Sequence, residues 1–227
     1  VDYVRVVYPA VSVYLCLAIG VSALVTILAT ETGWRTGVYV FKPLTTLLII
    51  ALAARGESAL PGYRGLVIAA LVFSLAGDVF LMLPKDRFVA GLVAFLIAHL
   101  LYIAAFVQLG AHVTAWIALP FLVYAAVLLR IVLPHVQRRL KLPVIVYAAA
   151  LTVMAWQACE RAWAARSATP AEIVGFGGVL AAAGAVLFVA SDSALAVNRF
   201  VRQFRGADAL VLGTYFAAQT LIALSIR

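Results

Sequence analysis

Residues 65–83 read GLVIAALVFSLAGDVFLML, nineteen positions with a single charge, Asp78. A helix needs about 20 mostly apolar residues to cross a bilayer. A soluble helix of that length would keep a polar face. Seven similar runs flank this one, so spans are expected at about 6–29, 38–54, 65–83, 88–108, 113–134, 142–163, 173–198 and 208–226, the second being the shortest. All are expected to be helical, because a strand edge facing lipid cannot satisfy its backbone polar groups. The alternating pattern of a barrel is absent, and the runs are too long for one. The expected fold is an all-α integral membrane protein with eight transmembrane helices. It forms a single polytopic domain over residues 1–227, and its short loops leave no room for a soluble one.

Composition agrees. Of 227 residues, 66% are hydrophobic and only 11% charged, against about a quarter charged in a soluble domain. Too few charges remain to cover a soluble core. Disorder, collagen-like repeats and a disulfide scaffold are excluded by the same counts. The net charge of +8 would suit nucleic acid, but the cations sit in short clusters between apolar runs, not on one soluble face. No nucleic-acid partner is expected. Cys16 and Cys159 fall inside apolar runs and read as buried, inert thiols. No charged region, apolar region and cleavage site precede the first span, so no cleaved signal peptide is read.

Loop cations set the expected orientation. One side carries ten: Arg35, Lys85, Arg87, Arg130, Arg138, Arg139, Lys141, Arg199, Arg202 and Arg205. The other carries six: Arg5, Arg55, Arg64, Arg161, Arg166 and Arg227. The positive-inside rule then places both termini outside the cytoplasm. Tyr3, Tyr8, Trp34, Trp116 and Trp163 lie near span ends, as interfacial belt residues do. Glu160 reads as a snorkelling or Arg161-flanking residue, and Gly175, Gly177, Gly178 and Gly184 as points of close helix approach.

Residues 72–81, VFSLAGDVFL, resemble residues 186–195, VLFVASDSAL. Each places an aspartate near the end of a span and is followed by an Arg-Phe pair, Arg87-Phe88 or Arg199-Phe200. Spans 2 and 6 each carry an early proline, Pro43 and Pro143. This spacing suggests two four-helix halves in parallel orientation.

Ionisable groups inside spans are costly unless paired or hydrated, and so nominate sites. Asp78, Asp192 and Lys42 all fall near the cation-rich surface, roughly 6–9 Å deep at about 1.5 Å per residue. Tyr39, Lys42 and Thr46 share a face of span 2, and Ser74 precedes Asp78 by one turn. His99 and Tyr102 are one turn apart on span 4, as Tyr215 and Gln219 are on span 8. Ser191 adjoins Asp192, and Asn198 and Arg199 close span 7. Convergence of these faces would make a pocket with an ionic mouth and an apolar floor. Structural pairs such as Asp78–Lys42 or Asp192–Arg199, and interhelical hydrogen bonds, are the plainer alternative. A three-histidine zinc site is not expected, because His99, His112 and His135 lie on different spans and depths. No nucleophile elbow, P-loop or dinucleotide fingerprint occurs. Two carboxyls at one depth are the main constellation, and such a pair can divide acid and base roles.

The segments Phe41-Lys42-Pro43-Leu44-Thr45-Thr46, Gly77-Asp78, Ala98-His99 with Tyr102, Ser191-Asp192 with Asn198-Arg199-Phe200, and Tyr215 with Ala218-Gln219 resemble the YhhN family. Each motif is short; five in order on the right spans are specific. The resemblance covers Phe41 to Ile222. Characterised members are lysoplasmalogenases, so it implies a hydrolase with eight spans. Such an enzyme splits the vinyl ether of lysoplasmalogens into a fatty aldehyde and glycerophosphoethanolamine or glycerophosphocholine. The family's two aspartates correspond to Asp78 and Asp192.

The chemistry suits those residues. A vinyl ether is protonated at carbon, giving an oxocarbenium ion that water attacks. A carboxyl held out of water keeps its proton more readily, and a second, ionised carboxylate stabilises the cation. The expected assignment is Asp78 as acid and Asp192 as carboxylate or base. Lys42 and Arg199 would hold phosphate. His99, Tyr102, Asn198, Tyr215 and Gln219 would contact substrate or position water, supported by Tyr39, Thr46, Ser74 and Ser191. No cofactor or metal is required. The expected partners are a lysophospholipid and membrane lipids; oligomeric state stays open. The expected location is a bacterial inner membrane with the site on the cytoplasmic side. A lipid transporter, a lipid-binding protein or a hydrolase of another lysolipid are the alternatives.

Overall fold

A computed structural model describes residues 10–58, 60, 62–84, 87–164 and 171–226. Helix makes up 87% of the described residues, and none of them is in a strand. The helices are α1 (Ala10–Glu31), α2 (Arg35–Ala54), α3 (Tyr63–Met82), α4 (Phe88–Phe106), α5 (Ala115–Val132), α6 (Arg138–Ala164), α7 (Ala171–Ala196) and α8 (Ala207–Leu224). All eight are long and apolar enough to cross a membrane. Every helix bound that can be compared falls within four residues of the expected span. α2 is not the shortest: it starts at Arg35, directly after the turn at Gly33, and has 20 residues, against 18 in α5 and in α8. Lys42 consequently lies seven residues into its helix, or about 10 Å at the helical rise. Tyr3, Tyr8, Arg5, Lys85, Arg166 and Arg227 lie outside the described residues.

Packing repeats with a shift of four helices. The most extensive contacts join α3 to α4 and α7 to α8. Likewise α1 packs on α2 as α5 does on α6, α2 on α3 as α6 on α7, and α2 on α8 as α6 on α4. The pattern breaks twice: α1 lies against α8, whereas α4 and α5 make no comparable contact, and α3 touches α8, whereas α7 and α4 make no comparable contact. Close approach within each pair depends on glycine. A Cβ on Gly77 would stand 2.5 Å from Phe95 of α4, and one on Gly184 would stand 2.7 Å from the Ala218 carbonyl of α8. The aspartate-bearing helices are therefore drawn tightly against their neighbours.

The outward surfaces of the helices carry leucine, valine and aromatic residues, as a lipid-facing surface does. Trp34, Trp116 and Trp163 are exposed near helix ends, where an aromatic belt sits. Glu160 does not snorkel. It is buried and accepts hydrogen bonds from the Thr114 backbone N–H at 2.6 Å, Thr114 Oγ1 at 2.8 Å and Trp156 Nε1 at 2.8 Å. Thr114 precedes the first turn of α5, whose unpaired N–H groups attract a carboxylate. Cys16 and Cys159 are free, and half-buried where full burial was expected.

Candidate active site

Asp78 is 1% exposed and carries three partners. Lys42 Nζ lies 3.3 Å from its Oδ1. Thr46 Oγ1 donates to its Oδ2 at 2.8 Å, and Tyr215 OH donates to the same oxygen at 2.7 Å. Lys42 and Thr46 are one turn apart on α2, so one helical face delivers both groups. Pro43 begins the same turn without an N–H to give. Thr45 turns the other way, donating to the Phe41 carbonyl at 2.7 Å. Tyr215 reaches across from α8, so three helices meet at one carboxyl.

Asp192 has different company. It is half-buried and accepts a hydrogen bond from Tyr147 OH of α6. Among the described residues no ammonium or guanidinium forms an ion pair with it. Its neighbours are anchored elsewhere: Ser191 Oγ donates to the Val211 carbonyl of α8 at 3.0 Å, and Ser193 Oγ accepts from Tyr124 OH of α5 at 2.9 Å.

Both carboxyls line one cavity of about 320 Å³, together with Lys42, Ser191, Arg199, Tyr215 and a third carboxyl, Asp208, in the first turn of α8. The remaining wall is largely apolar, with Phe95 and Leu151 beside Tyr147. At the mouth α7 widens into a π-turn, Val197–Val201, a feature frequent at functional sites. Arg199 lies on that turn, with its guanidinium 4.0 Å from the centre of the Phe88 ring. Phe88 meets Phe200 edge-on at 5.6 Å. The two Arg-Phe pairs of the sequence repeat thus contribute their rings to one place.

Some of the expected residues sit behind the cavity instead of on its wall. Tyr102 OH donates to Gln219 Oε1 at 2.5 Å, in a fully buried layer that also holds His99 and Ser74. The His99 ring stands edge-on to Tyr147 at 5.1 Å and to Phe188 at 4.9 Å. Thr46 likewise acts from behind, through Asp78. Asn198 Oδ1 accepts the Phe204 N–H at 3.3 Å and so shapes the loop after the π-turn. Tyr39 is 41% exposed on the outer face of α2 and is not brought to the cavity. Among the described residues no three of His, Cys, Asp and Glu stand close enough to hold a metal ion.

Sequence reading missed Tyr147. The signal was present: aligning Pro43 with Pro143 sets Tyr147 one position from the place of Thr46. Each half therefore presents a hydroxyl, from the turn after its proline, to the aspartate on its next helix.

Fold and site together define a polytopic, all-helical membrane protein in which Asp78 and Asp192, differently partnered, line one intramembrane cavity. The profile of the YhhN family matches residues 37–226, and the chain belongs to that family. It is 31% identical to the membrane protein YhhN of Escherichia coli O157:H7, over 92% of this chain and 97% of that one. It is 32% identical to lysoplasmalogenase TMEM86B of Mus musculus, over 96% of this chain and 88% of that one. Against lysoplasmalogenase TMEM86B of Sus scrofa the identity is 31%, over 86% and 77%. No solved structure matches.

Proposed function

We propose that this protein is a membrane lysoplasmalogenase that hydrolyses the vinyl ether of an alkenyl lysophospholipid by carboxyl acid–base catalysis. One observation carries the reading: two aspartates with different partners open into a single apolar cavity with cationic side chains among its lining. The relatives named as lysoplasmalogenases support the substrate class.

The partners of the two aspartates favour a division of roles opposite to the one expected from sequence, Asp78 as acid and Asp192 as carboxylate or base. Asp78, beside an ammonium and two hydroxyl donors, is equipped to remain an ionised carboxylate. Among the described residues Asp192 has one donor, a neutral phenol, and it faces the cavity, which suits a proton donor. Asp192 gives its proton to the β-carbon of the vinyl ether, and the π electrons form the new C–H bond. The oxocarbenium ion so formed lies in the field of the Asp78 carboxylate. Water adds to the cationic carbon and loses a proton to a carboxylate. The hemiacetal then collapses, and the glycerol oxygen leaves with a proton. The products are a fatty aldehyde and a glycerophospho-alcohol, for one water consumed. Arg199 at the mouth holds the phosphate. The buried Tyr102–Gln219 pair and His99 brace the walls that carry Tyr215 and Tyr147.

The cation-rich side is the cytoplasmic one in this reading. The cavity opens there and both termini lie opposite, in a bacterial inner membrane. The test is aldehyde release from alkenyl lysophosphoethanolamine and alkenyl lysophosphocholine by purified protein. Wild type releases aldehyde, whereas the Asp192→Asn and Asp78→Asn proteins, folded in detergent, do not. Lipid transport is the second reading, favoured by the shifted repeat of helix contacts; it requires the lipid to be recovered unchanged.

A further inference from the structure

We infer that the seam between α5, α6 and α7 opens to carry the alkenyl tail from the carboxyls to a second, apolar crevice at the far end of the same three helices. The inference rests on the hydrolase reading of the site. The crevice has a volume of about 450 Å³ and is lined by Trp116 and Phe121 of α5, Cys159 and Ala162 of α6, and Val179 and Ala182 of α7. The catalytic cavity uses the opposite ends of these helices, with Leu128, Ala148 and Asp192 in its wall.

Continuous stripes join the two. On α7, Ala182, Val186, Val189 and Ser193 follow at steps of three or four and so share one face. On α6, Ala148, Leu151, Ala155 and Cys159 do the same. The middle of the path is apolar and closed at Ala155, which is fully buried, while Val186 of the α7 stripe is exposed. α5 is the loosest wall of the bundle: it packs along α6 and touches the π-turn, but makes no comparable contact with α7. The Tyr124–Ser193 hydrogen bond ties it to α7 beside Asp192.

Length decides the occupant. Asp192 and Ala182 are ten residues apart on α7, about 15 Å at the helical rise. One lipid tail spans half of a hydrocarbon core about 30 Å thick, roughly the same distance. With the phosphate near Arg199 and the vinyl ether between the aspartates, the tail end reaches the crevice.

The probe is a lysophosphoethanolamine with a saturated ether in place of the vinyl ether and a diazirine at the tail terminus. Photolysis with full-length protein in nanodiscs is expected to label the α5 and α6 segments around Phe121 and Ala162, and unlabelled alkenyl lysolipid should compete the label away. Label spread over outward positions such as Val127 and Leu100, unaffected by competitor, overturns the inference. Ala182→Phe provides the second readout. It should lower the ratio of kcat/KM for a long tail over one half its length by about fivefold, through lost packing. Val127→Phe, on the exposed face of α5, should leave that ratio unchanged. An unaltered ratio in Ala182→Phe counts against the tail path. Competed label without aldehyde release would keep the path and sink the hydrolase; aldehyde with unfocused label would do the reverse.

Discussion

Asp78 and Asp192 stand on α3 and α7, at matching places in two halves that share helix order, a proline-bearing neighbour and a hydroxyl aimed at the carboxyl. Their surroundings differ in charge. Asp78 is fully enclosed and balanced by Lys42. Asp192 is half-buried and meets a neutral phenol. A repeated scaffold has thus been filled with unequal partners, and unequal carboxyls are what divided acid and base roles require. The second asymmetry lies in the packing. α1 closes against α8, while the corresponding pair, α4 and α5, makes no comparable contact. The half with the freer carboxyl is also the half with the freer helix.

The comparison breaks most visibly at the carboxyls. Asp78→Asn and Asp192→Asn are each expected to lower turnover by about 10³-fold or more, read as aldehyde release. Their stabilities should part. Asp78→Asn leaves Lys42 unpaired in a half-buried place and should lower thermal stability in detergent, whereas Asp192→Asn removes no ion pair found among the described residues and should leave it nearly unchanged. Equal stability losses would show that the two sites do not differ in charge balance.

Lys42→Met attacks the same difference from the cation side. It strands Asp78 and is expected to cost about 3 kcal/mol in stability as well as most activity. Combined with Asp78→Asn it should recover the stability and none of the activity. A double variant as unstable as the single one would mean that Lys42 and Asp78 are not coupled.

The tyrosines sharpen the contrast. Tyr147→Phe takes the one hydrogen bond described for Asp192, and a loss of about 10²-fold in kcat is expected. Tyr215→Phe leaves Asp78 with Thr46 and Lys42, so about tenfold is expected. The opposite order would mean that Asp78 is the less supported carboxyl. Tyr124→Phe, which only releases α5 from Ser193, should change kcat by a factor of about two or three.

The eight helices were legible because a lipid-facing segment must be apolar over its whole length, and that leaves a continuous trace in sequence. Asp78, Asp192 and Lys42 were legible for the complementary reason: charge inside such a segment is rare. The ends of the helices were less so, since Arg35 continues α2 outward where composition suggests a loop. Tyr147 was hidden because a tyrosine in an apolar run looks like any other aromatic. His99, Tyr102 and Gln219 were recognised as unusual, but whether a polar side chain lines a cavity or lies behind its wall depends on helix rotation, which one or two polar positions do not fix. Glu160 was misread because its partner, the start of α5, is 46 residues away in the chain.

The most direct measurement is aldehyde release from an alkenyl lysophospholipid in deuterated water, with wild type and both asparagine variants compared by mass spectrometry. Carboxyl-driven protonation at carbon predicts aldehyde carrying one solvent deuteron beside the carbonyl from wild type, and none from either variant. Aldehyde without that deuteron, or comparable release by both variants, would contradict the account.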